Sequence, residues 1–86
     1  MKIGQVVYSK SGRDKNRFLI VFKICDGYVF VVDGKERPLS NPKRKNPKHL
    51  SSTNHVFDPN CLRSNRSVRS ALNEFLKNKT NSERGH

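Results

Sequence analysis

The sequence predicts a mainly β fold, a small antiparallel barrel of five short strands followed by one C-terminal α-helix. Three observations point there. Seventeen of the 28 apolar residues fall within residues 1–33, so that segment must supply most of the core. Asp26-Gly27 and Asp33-Gly34 supply tight-turn chemistry between runs of β-branched and aromatic residues, which favours antiparallel neighbours. Helical apolar spacing begins only after Pro59. At 86 residues and 9.9 kDa, the chain has room for one domain.

Taken in order, Gln5-Val6-Val7-Tyr8 reads as the first strand and is followed by the polar loop Ser9 to Asn16. Phe18 to Ile24 is the second strand, and Asp26-Gly27 turns the chain into the third, Tyr28 to Val32. The near-continuous apolar runs imply burial on both faces, as when a small sheet curls on itself. Two further strands are expected, around Glu36-Arg37-Pro38-Leu39 and around His49-Leu50-Ser51-Ser52-Thr53. Between them, the stretch Asn41 to Lys48 is expected to be an extended, surface-exposed arm, since the prolines at 38, 42 and 47 each fix φ and remove a donor. The barrel then occupies residues 1–54 and a connector residues 55–64. Val68, Ala71, Leu72, Phe75 and Leu76 share one face of a helix over 65–78, with Ser64 or Asn65 as its N-cap. Residues 79–86 read as a frayed polar tail.

Charge narrows the function. Lys and Arg number 18 against 7 Asp and Glu, a formal net charge of +11, with a pI near 10.3 and a mean hydropathy of −0.83. Such an excess increases self-repulsion in the compact state, and a polyanionic partner is the usual compensation. No apolar run approaches the roughly 20 residues that span a bilayer, and Met1-Lys2-Ile3-Gly4 does not open a signal peptide. A cytoplasmic protein with no membrane partner is expected. The isolated thiols Cys25 and Cys61 are expected to stay reduced. They share no short ligand spacing with His49 or His55, so no metal or other cofactor is expected. Seven carboxylates and three histidines form no recognisable acid–base arrangement, and the chain reads as a binder rather than an enzyme.

Two segments carry the candidate binding residues. The loop Lys10-Ser11-Gly12-Arg13-Asp14-Lys15-Asn16-Arg17 sets four basic residues around a glycine that would let a phosphate approach the backbone. A solvated hairpin loop would have the same composition. The arm from Arg37 to Lys48 adds Arg37, Lys43, Arg44, Lys45 and Lys48, with no acid among its 12 residues and with His49 following. Such a run can neutralise several phosphates. Tyr8 and Tyr28, each beside a polar turn, are candidates for base stacking, although the barrel core competes for every aromatic ring. On the helix, Arg66, Arg69 and Lys77 gather opposite the apolar face, where they would either extend the anion-binding surface or simply be solvated.

The stretch Gly4 to Val21, with Gly12 as its characteristic glycine, resembles a KOW motif. The blocks Val32 to Leu39 and Asn41 to Leu50 are similar to those of small bacterial KOW-domain RNA-binding proteins. These in turn resemble a KOW-containing large-subunit ribosomal protein of archaea and eukaryotes. The likeness covers about residues 3–54, and Asn16 stands where the motif often carries glycine. It implies a five-stranded SH3-like (KOW) barrel that binds structured RNA, with ribosomal RNA or the large ribosomal subunit as partner, through the first loop and the basic arm. The free protein is then expected to be a monomer. Two other classes stay open: a protein–protein or nascent-RNA contact module of the transcription or translation machinery, and a non-specific nucleic-acid binder.

Overall fold

The structure, a computed structural model, describes residues 1–84. Five antiparallel strands form one sheet: β1 (Gln5–Ser9), β2 (Phe18–Cys25), β3 (Tyr28–Val32), β4 (Lys43–Lys45) and β5 (Leu50–Val56). Their order across the sheet is β4-β3-β2-β1-β5, and one helix, α1 (Asn65–Arg84), follows. The Asp26-Gly27 turn forms as expected, both residues taking positive φ (51° and 78°).

Register explains why the strands are apolar on both faces. Val6 opposes Ile20, and Ile20 opposes Val32. These three bury one face of the sheet against Val68, Ala71 and Leu72 of α1, with Phe18, Phe22 and Phe75 packed around them. The alternate residues Val7, Leu19, Val21, Val29 and Val31 join Leu50 in a second cluster on the concave side. The sheet therefore curls into a small barrel-like fold with a core inside and a helix outside. The apolar face of the helix docks as its periodicity predicts.

Four boundaries differ from the expectation. β5 runs to Val56, into the segment expected to be a connector, because Val56 still pairs with Gln5 of β1. Glu36 to Leu39 is not a strand, because its backbone donors are used elsewhere. Asp33 Oδ1 accepts from the Lys35 and Arg37 amides, both at 2.8 Å, Pro38 has no amide proton, and the Leu39 amide donates to Asn65 Oδ1 at 2.8 Å. The fourth strand is instead Lys43–Lys45, inside the segment expected to be an exposed arm, where Val31, Phe30 and Val29 pair with Lys43, Arg44 and Lys45. Finally, α1 continues through Arg84 instead of stopping at 78. No Pro or Gly occurs between Asn65 and Arg84. Of the expected tail, Gly85 and His86 lie outside the described residues.

Ser64 caps the helix, its Oγ accepting from the Ser67 amide at 3.1 Å. The asparagine beside it has another role, since Asn65 ties the 33–39 segment to the first turn of the helix. Gly34 sits beneath that turn with φ +78°, and a Cβ there would collide with the Asn65 carbonyl oxygen and press on Arg69. Cys61, in the connector, has its thiol pushed up from the usual range by burial and by the Asp58 carboxylate. Both cysteines are free thiols.

Replacing Gly34 with Ala is therefore expected to lower stability by about 2 kcal/mol, because backbone strain and a steric clash act together. The measurement is the denaturant midpoint at unchanged m-value.

Candidate nucleic-acid interface

The geometry of both basic segments follows from one buried carboxylate. Asp14, the single acid of the first loop, is 1% exposed. Its Oδ1 accepts from Arg37 Nε at 3.2 Å, and its Oδ2 faces Lys45 Nζ at 3.8 Å. Lys45 is itself 6% exposed. Its ammonium donates to Ser9 Oγ at 3.0 Å and to the Ser11 carbonyl at 2.8 Å. Two hydrogen bonds and one ion pair thus compensate the desolvation of a buried lysine.

These contacts bear on two of the candidate residues, and for Lys45 they correct the expectation of an exposed side chain. Lys45 does not belong to the exposed surface. Its place in β4 opposite Val29 turns its side chain toward the inner face, where Asp14 holds it. Arg37 is half-buried and committed to the same carboxylate. Gly12 lies over the Lys45 amine, which sits 3.3 Å from where a Cβ would be, so the lysine as well as its φ of +81° accounts for a glycine at this position.

The other candidates remain at the surface. Lys10, Arg13, Lys15 and Arg17 project from the loop, and Lys48 and His49 from a 3₁₀ turn over Pro47–His49. The two segments meet directly, since the Lys10 amide donates to the His49 carbonyl at 2.9 Å. Arg17 forms an exposed ion pair with Glu36, which partly offsets its charge. Lys43 and Arg44 are exposed on opposite faces of β4. On the helix, Arg66 and Lys77 are exposed, but Arg69 is tied down by its Nη1 bond to the Gly34 carbonyl at 2.9 Å.

Loop geometry also accounts for Asn16. It adopts the left-handed conformation (φ 70°) that a glycine would take, which Asn tolerates better than most residues. Its Oδ1 accepts from the Tyr8 hydroxyl at 2.7 Å. Tyr8 packs edge-on against Phe18, with ring centroids 5.0 Å apart, so this tyrosine belongs to the scaffold. Tyr28 is exposed, and the Arg44 guanidinium lies 4.7 Å from its ring centroid.

Asp14, which ties the two basic segments together, is not one that sequence reasoning selects for binding. Its signal is nonetheless present, as the one acid in a loop of four cations. No helix among the described residues is long and apolar enough to cross a membrane. No protein-family model and no curated protein matches the chain.

Replacing Asp14 with Ala leaves the Lys45 charge buried without its counter-ion and should destabilise the fold by about 3–5 kcal/mol. Lys45→Met should cost less, because Arg37 still neutralises Asp14. Chemical denaturation of both variants checks the order.

Proposed function

We propose that this protein binds structured RNA by electrostatic contact with phosphates, through the loop at residues 10–17 and the adjoining segment 43–49. One observation carries the reading. The only carboxylate in either segment is turned inward and consumed by Arg37 and Lys45, so the side chains left on the surface of both segments are cations or neutral. Lys10, Arg13, Lys15, Lys43, Lys48 and His49 then form the phosphate-contacting set, with Arg17 and Arg44 at its margins. The resemblance to KOW-domain RNA-binding proteins supports the same two segments and favours ribosomal RNA of the large subunit as the partner.

The mechanism divides labour between buried and exposed cations. Arg37 and Lys45 hold the loop against the barrel, which reduces the ordering cost when phosphates are engaged. Phosphate contacts position a protein without reading sequence, so discrimination comes from whether the RNA presents phosphates at the spacing of these side chains.

Replacing Lys10, Arg13 and Lys15 together with Ala should weaken binding to a folded ribosomal RNA fragment. The log–log salt slope should flatten by roughly 0.7–0.9 for each phosphate that is no longer neutralised. A slope equal to that of the wild type would remove the loop from the mechanism. Sedimentation of native lysate at low and high salt tests the partner. Co-migration with the large ribosomal subunit through the high-salt wash is expected, and migration at the top of the gradient in both salts would overturn the ribosomal assignment.

A further inference from the structure

The outer face of the sheet divides into two halves. Val6, Ile20 and Val32 lie under α1. Beyond them the register carries the same face outward through Lys23 opposite Phe30, Cys25 opposite Tyr28, and Phe30 opposite Arg44. An irregularity in β2 between Val21 and Lys23 helps bring Lys23 onto this face, since Phe22, one residue earlier, packs toward the helix. The result is two aromatic rings interleaved with two cations. The Arg44 guanidinium lies 4.7 Å from the Tyr28 ring centroid, and Lys23 Nζ lies 5.8 Å from that of Phe30. Lys23, Tyr28 and Arg44 are exposed.

We propose that this half of the outer face seats unpaired bases of the bound RNA, stacked on the Tyr28–Arg44 pair, with Lys23 contacting the adjoining phosphate. The inference rests on the RNA-binding reading and extends it from paired to single-stranded segments. Its support is complementarity. A nucleotide presents a flat π surface beside a negative charge, and this face presents planar groups beside cations. A protein partner would favour a contiguous apolar patch, whereas here each ring is flanked by a positive charge. The nearest carboxylate in sequence, Asp26, lies in the turn at the end of this face, where it accepts from the Cys25 thiol at 3.6 Å. The face is also continuous with the proposed phosphate-binding surface. Arg44 lies between Lys43 and Lys45 on a three-residue strand at the sheet edge, so RNA leaving the loop needs only to round β4 to reach Tyr28.

The test uses the full chain with two probes at matched salt, a 12-nucleotide oligouridine and a fully paired RNA duplex of the same length. Tyr28→Ala should weaken oligouridine binding roughly 5- to 150-fold, the equivalent of removing one base stack, and leave duplex binding unchanged. Tyr28→Phe should restore it. Arg44→Lys, which keeps the charge but not the plane, should also lower oligouridine affinity at an unchanged salt slope. Ultraviolet cross-linking of the wild type to oligouridine should give adducts at Tyr28 or Phe30. This result does not depend on the folding of any variant. Duplex binding with unaltered oligouridine affinity in Tyr28→Ala and Arg44→Lys, and with adducts confined to residues 10–17, would overturn the stacking site and leave the face to a protein partner. If the wild type bound neither probe at low salt, the RNA-binding reading itself would fall, and this site with it.

Discussion

The buried contact between Lys45 and Asp14 is the constraint on which the rest of the structure depends. The order β4-β3-β2-β1-β5 leaves β4 and β5 as the two ends of the curled sheet. The concave cluster of Val7, Leu19, Val21, Val29, Val31 and Leu50 stays dry only while those ends are held together. Lys45 bridges them. It reaches from β4 to Ser9 at the end of β1 and to Ser11 and Asp14 in the following loop, so a single ammonium links strands that are not neighbours in the sheet. Burying these charges costs desolvation energy, and apolar residues of similar volume often serve stability as well. What the ionic version adds is a geometric link between the barrel and the loop.

That link gives the surface its character. A loop carrying four cations would ordinarily be expanded by its own repulsion and would lose entropy on binding. Here Asp14 draws the loop inward, Asn16 supplies a left-handed turn, and the Tyr8 hydroxyl clamps that turn from β1. The cations left at the surface therefore stand on a fixed backbone. The same carboxylate buries Lys45 and ties down the half-buried Arg37, leaving fewer exposed charges on a better-ordered support.

Much of the architecture is legible in the sequence because it rests on local patterns. The Asp26-Gly27 hairpin, the doubly buried strands and the apolar face of α1 each follow from turn chemistry or periodicity within a dozen residues. The fourth strand is not legible. Lys43-Arg44-Lys45 has no apolar residue to announce a strand, and it forms one because Val29, Phe30 and Val31 on the facing strand need a partner. The segment that looks better suited, Glu36 to Leu39, is diverted by Asp33 and Asn65, whose side chains accept its amides. The full length of α1 is hidden by its polar C-terminal composition, which suggests fraying although nothing from Lys79 to Arg84 breaks a helix.

The same cause limits how much of the site the sequence reveals. In sequence, Lys43, Arg44 and Lys45 are three equivalent charges, and an extended arm would present all of them to a polyanion. A strand has a period of two and separates them. Lys45 turns inward to a carboxylate and ties β4 to the first loop, while Arg44 turns outward onto an aromatic ring. Lys43 shares the side of Lys45 but stays in solvent. Three neighbouring cations thus meet three dielectric environments, and the energy of each is set by its environment and not by the run it belongs to. Charge density along a sequence measures what a surface could attract. How much of that charge reaches the surface depends on strand pairing, and here the pairing of a three-residue strand assigns one cation to the fold and leaves two at the surface.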